Sequence, residues 1–147
     1  MRVDVVTRII INRPREAVAN FAADPSNAPR WYVNIKSIEW KTPPPVAVGS
    51  QVAFVAHFLG RRMAYTYEVL EFVPSQRMVM ATAEGPFPME TSYAWQTVGE
   101  GQTEMTLRNR GNPSGFAKVL SLFMVPAMRR ANRNDLARLK ALMEQNV

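Results

Sequence analysis

The last thirty or so residues, Ser114 to Gln145, place the hardest demand on any fold this chain can adopt. Read at about 100° per residue, Phe116, Leu120, Phe123, Met124 and Ala127 fall on one side of a helix, with Val119 at its margin. After Pro126 the apolar positions become Met128, Ala131, Leu136, Leu139, Leu142 and Met143, a stripe turned by roughly a quarter turn from the first. A proline inside a helix removes a donor and presses on the carbonyl four residues back, here that of Leu122, at a cost of about 3 kcal/mol. A bend is expected there, with packing holding both halves. Lys118, Arg129, Arg130, Arg133, Arg138 and Lys140 lie mostly off the stripe, towards water. A helix with one wide apolar side and one basic side must lay the apolar side on something large. The candidate is a sheet made from everything before it.

The preceding residues supply one. Residues 2 to 12 are β-branched with an approximate period of two and read as a strand, stopped by Arg13-Pro14-Arg15-Glu16. Pro14 suits the start of a short helix through Val18, Phe21 and Ala22, and a second short turn or helix follows around Ser26 to Arg30, capped by Asp24 or Ser26. Strands are expected at Ile35 to Trp40, ended by Pro43-Pro44-Pro45, and at residues 51 to 59, where Val52, Phe54, Ala56 and Phe58 share one face. Gly60-Arg61 marks a hairpin turn before Met63, Tyr65, Tyr67 and Val69. Further strands cover Met78 to Ala83 and Met89 to Val98, and the last one carries Met105, Leu107 and Asn109 on one face. Short connections make neighbours antiparallel. The fold class is therefore α+β: a curved antiparallel sheet of about six or seven strands wrapped round one long C-terminal helix, with two short helices after the first strand.

Composition removes several chemistries. There is no cysteine, so disulfides, thiolate metal sites and cysteine nucleophiles are excluded, and one histidine cannot make a histidine-rich metal site. Residues 1 to 11 lack the uninterrupted apolar core of a signal peptide, and no run is long enough to span a bilayer. A cytoplasmic protein is expected, as one domain over residues 1–147. The net charge of +6 permits an anionic partner, but the basic residues are scattered from Arg2 to Lys140 and dense only in the final helix. No nucleic-acid motif accompanies them, so no specific nucleic-acid partner is expected.

In order and spacing the chain resembles the START-like (SRPBCC) superfamily, the helix-grip fold of polyketide cyclases, lipid-transfer START domains and birch-pollen-allergen-like proteins. The resemblance covers nearly the whole chain. It is carried by the opening strand followed by Arg13-Pro14-Arg15-Glu16-Ala17-Val18, by the segment from Asp24-Pro25 to Trp31, and by Val48-Gly49-Ser50. The exit from Tyr67-Glu68-Val69 to Val73-Pro74, Gly101-Gln102-Thr103, and Asn134-Asp135-Leu136-Ala137-Arg138-Leu139-Lys140 complete it. None of these is a catalytic signature. The resemblance implies a pocket for hydrophobic ligands between the concave sheet face and the long helix, in a superfamily that includes cyclases, hydrolases, transfer proteins and sensors. Aromatase-like members place acid or base groups in that pocket, and no such set maps onto this sequence.

The residues themselves point the same way. Met63, Tyr65, Tyr67, Met78, Met80, Met89, Tyr93, Trp95 and Met105 share a face on adjacent strands, where Met124 or Met128 could meet them. Plain core accounts for most of them. Methionine packs adaptably, while buried tyrosine hydroxyls and indole N–H groups need partners, and an apolar cavity edged by a few polar tips suits a small molecule. The candidate ligand-binding residues are Trp31, Phe54, Phe58, Met63, Tyr65, Tyr67, Met78, Met80, Met89, Tyr93, Trp95, Asn109, Leu120, Phe123 and Met124. His57 falls on the outer face of its strand, as do Glu68, Glu90 and Glu104 on theirs, so no catalytic residue, metal or cofactor is assigned. The expected function is binding or transfer of a small hydrophobic ligand such as a lipid, polyketide or isoprenoid. A cyclase or aromatase-like enzyme, with Tyr65, Tyr67 or Tyr93 polarising a carbonyl, is the alternative. A third reading is a helper that docks a protein, or contacts a membrane peripherally, through its basic helix.

Overall fold

The computed structural model describes residues 2–112 and 118–145, excepting the side chains of 118–122. Strand β1 (Val3–Ile11) leads to helix α1 (Arg15–Ala22), a 3-10 turn over Pro25–Asn27 and a one-turn helix α2 (Ala28–Trp31). The 3-10 turn starts where the sequence supplies an acceptor, the Ser26 N–H donating to Asp24 Oδ1 at 3.0 Å. Strands β2 (Ile35–Trp40), β3 (Gln51–Phe58), β4 (Arg61–Val73), β5 (Arg77–Glu84), β6 (Met89–Gly99) and β7 (Gln102–Gly111) follow, then helix α3 (Lys118–Gln145).

The strands form one sheet in the order β1-β7-β6-β5-β4-β3-β2, antiparallel throughout. From β2 to β7 each strand lies beside the next one in the chain, so the meander is local, and the return of β1 to β7 brings Val3 opposite Gly111. The hairpin of β3 and β4 closes in two residues, Leu59 and Gly60, both with positive φ as a type I′ turn requires. Thr91, Tyr93 and Trp95 on β6, with Thr103, Met105, Leu107 and Asn109 on β7, point inward and are buried. Gln96 and His57 stand exposed on the outer side. The sheet curls into a half-barrel around α3.

Helix α3 carries Pro126 within it and keeps one buried stripe on both sides of the proline: Met124, Met128, Asn132, Asp135, Leu136, Leu139 and Met143. These positions lie within about 140° of arc on a helical projection. Phe123 stands about 100° outside Met124 and is 58% exposed, so its expected place on the inner side is corrected. Sequence periodicity weighted the bulky ring and skipped the polar members, and so set the phase of the first half too far round. The expected helix start at Ser114, Phe116, and the side chains of Val119 and Leu120 lie outside the described residues.

Two apolar clusters flank the space between sheet and helix. The larger one gathers Ile11, Val18, Trp31, Met78, Trp95, Leu107, Leu136 and Leu139 under α1 and α2. The smaller joins Val3, Val5, Phe87, Met124 and Met128, with Phe58, Leu59 and Met63 packed against it.

Candidate functional site

Between these clusters lies a cavity of about 130 Å³, partly open to solvent. Its size is close to the roughly 150 Å³ of an apolar cavity that takes up benzene. Of the residues read from the sequence, Phe54, Phe58, Met63, Tyr65, Tyr67, Met80, Met89, Tyr93, Asn109 and Met124 line it. Four others do not. Phe123 faces solvent. Trp31, Met78 and Trp95 are on the inner side but lie in the larger cluster, beyond the end of the cavity. Alternation along a strand gives the face and not the position along it, and residues of α1 and α2 pack with Met78 and Trp95 in the larger cluster. The Trp31 ring sits 4.0 Å from that of Tyr32 and 5.8 Å from that of Tyr93, so it backs the wall without forming it. Leu120 lies outside the described side chains.

The wall is apolar towards Phe58, Met63, Phe87, Met89, Met124 and Met128, and polar in two places. In the first, the Tyr67 hydroxyl and Thr91 Oγ1 are 2.9 Å apart, and Thr91 Oγ1 donates to Asn109 Oδ1 at 2.7 Å. A threonine hydroxyl has one proton, so Tyr67 is the donor to it and all the protons of this chain run towards Asn109. Burial pushes the Tyr67 hydroxyl up to about 12, against the hydrogen bond with Thr91. In the second, the hydroxyls of Tyr32 and Tyr93 meet at 2.5 Å. Two hydroxyls sharing one hydrogen bond leave one proton over. Burial raises both these tyrosines, and Tyr65 as well, far above the ordinary phenol range, so they act as neutral donors.

Beside the tyrosine pair, α3 adds two side chains that the sequence reading passed over, Asn132 and Asp135, 5% and 3% exposed. Asp135 Oδ1 accepts the Val33 N–H at 2.9 Å, and the Asn34 carbonyl accepts the His57 N–H at 2.9 Å. The segment after α2 is thus tied to α3 on one side and β3 on the other, which holds Tyr32 and Asn34 in the wall. Burial lifts the Asp135 carboxyl from 3.8 to about 6, opposed by the Val33 N–H and then by Arg138. Asn132 Nδ2 is buried without a hydrogen-bond partner among the described residues. The signal for both lay in the spacing: Met128, Asn132, Asp135 and Leu139 step at helical intervals, and a polar residue inside an apolar stripe marks where the stripe borders something other than core. Thr82 and Thr91 share the alternation of Met80 and Tyr93 and were passed over as polar, whereas Tyr32 and Phe87 stand outside the strands and carry no periodic cue.

Among the described residues no three His, Asp or Glu side chains gather as a metal site would need, and no helix is long and apolar enough to cross a membrane. Residues 2–144 match the profile of the family described as polyketide cyclase/dehydrase and lipid transport. The chain belongs to that family. Its fold recurs in solved structures of low sequence identity. A START superfamily protein from Mycobacterium smegmatis superposes with a TM-score of 0.84 at 14% identity, covering 98% of this chain and 99% of that one. A protein from Thermus thermophilus gives 0.82 at 19% identity over 97% and 98%. The Zhui aromatase/cyclase from a Streptomyces species gives 0.82 at 14% identity over 99% and 95%. No curated protein matches the family member described here.

Proposed function

We propose that this chain binds, and carries or presents, a small hydrophobic molecule in the cavity between the sheet and α3. The observation that carries the reading is an apolar, partly open cavity whose wall holds polar groups with unused hydrogen-bonding capacity. A core packed for stability alone would fill the space. Membership of a family named for both cyclisation and lipid transport supports it. The aromatase/cyclase reading keeps a place through one observation: a carboxyl titrating near 6 stands beside paired neutral hydroxyls, as acid–base work on a carbonyl compound would require.

Filling the cavity tests the proposal. Met124 is buried in the wall, and Met124→Trp should abolish uptake of an apolar fluorescent probe while costing only about 1–3 kcal/mol of stability, the usual penalty for overpacking. Gln96→Trp, on the outer face, should leave uptake unchanged. Equal uptake by both variants and the parent would refute the site.

A further inference from the structure

Asn132 and Asp135 stand one helical turn apart on α3, both in the cavity wall, with complementary unmet needs. Asn132 Nδ2 is a buried donor without an acceptor among the described residues. Asp135 spends Oδ1 on the Val33 N–H, and among the described residues nothing donates to Oδ2. The Tyr32–Tyr93 pair holds a further proton that no group among the described residues takes. The chemistry of a head group that answers all three is narrow. An ammonium would suit Asp135 and the Asn132 carbonyl, but would leave Asn132 Nδ2 unmet and bring a strongly hydrated cation into an apolar space. A carboxylate would suit Asn132 and the tyrosines but bring a second anion against Asp135 in a poorly solvated space. A ketone oxygen would accept from Asn132 and leave Asp135 Oδ2 unmet. A hydroxyl accepts and donates at one oxygen.

We propose that the cavity selects a neutral, apolar, hydroxyl-bearing molecule, a phenol or compact alcohol, whose oxygen sits between Asn132 and Asp135. The inference rests on the ligand-binding reading above and adds the class of ligand and the two residues that choose it. The volume near that of a benzene-binding cavity favours a single ring at the head, with any chain lying against the apolar wall of Met124 and Phe87.

Calorimetric titration of the full chain at neutral pH with 4-butylphenol, butylbenzene, 4-butylbenzoate and 4-butylbenzylamine separates the head groups on one apolar body. The phenol should bind about tenfold or more tighter than butylbenzene, as a hydrogen bond to a charged group allows, and the benzoate and the amine more weakly than the phenol. Asn132→Leu and Asp135→Asn should each bring the ratio of phenol to butylbenzene affinity to within about twofold of one, a change that general damage to the fold, weakening both compounds alike, would not give. In the second variant the new carboxamide oxygen would still accept the Val33 N–H, which keeps the protein folded. Equal affinity for phenol and butylbenzene, tightest binding of the benzoate, or a phenol preference intact in both variants would overturn the inference and leave the cavity reading standing. Failure of all four compounds to bind would overturn both.

Discussion

Asp135→Asn should raise the unfolding free energy at pH 7.5 by on the order of 2–3 kcal/mol and change it little below about pH 4. The folded chain holds the Asp135 proton up to about 6, whereas the unfolded chain releases it near 3.8. Between those values the folded state binds more protons than the unfolded one, so this group's contribution to stability falls as pH rises through the window and is flat above it. The cause is desolvation of the carboxylate under α3, which the Val33 N–H and Arg138 offset only in part. An amide keeps the acceptor for Val33 and carries no charge to desolvate. Urea unfolding of both proteins at the two pH values measures the difference. A gain of the same size at both, or a loss at pH 7.5, would show that the carboxylate is better solvated than its burial implies. A stabilising substitution that weakens ligand choice is the expected trade at a functional site.

Leu139→Ala should cost about 2–5 kcal/mol, and Phe123→Ala no more than about 0.5 kcal/mol in either direction. Leu139 is completely buried and belongs to the larger cluster with Trp31, Trp95 and Leu107, so truncation leaves a void among side chains that α1, α2 and the sheet hold in place. Phe123 loses a ring that already stands mostly in water. Chemical denaturation of the two variants reads the phase of α3 directly. A large loss at Phe123 with a small one at Leu139 would mean that the helix presents its other side to the sheet.

That phase marks where the sequence was legible and where it was not. Strand order, hairpins and inward faces follow from a period of two broken by proline and glycine, which is why alternation alone puts Thr91, Tyr93 and Trp95 on one face. Which of them meets the cavity depends on how far α1 and α2 reach along the concavity, a tertiary fact with no local signature. Trp95 and Tyr93 are two residues apart and have different fates for that reason. On α3 the apolar residues alone misplace Phe123, and including Asn132 and Asp135 restores a single stripe. The residues that best mark the site were the ones a hydrophobic pattern discards.

The sheet ends in two free margins, β1 and β2, and each is closed to a further strand. At the C-terminal end of β1, α3 occupies two backbone groups: Lys140 Nζ donates to the Ile10 carbonyl at 2.8 Å, and Glu144 Oε2 accepts the Asn12 N–H at 2.9 Å. Strand β2 is only six residues long, breaks register between Ile35 and Ser37, carries Lys36 and Glu39, and is followed within three residues by a proline run. Short, irregular, charged edges discourage strand addition from another chain. The last two turns of α3 therefore guard that end of β1 against self-association, and a chain shortened there would free the Ile10 carbonyl and the Asn12 N–H for pairing with its own copies.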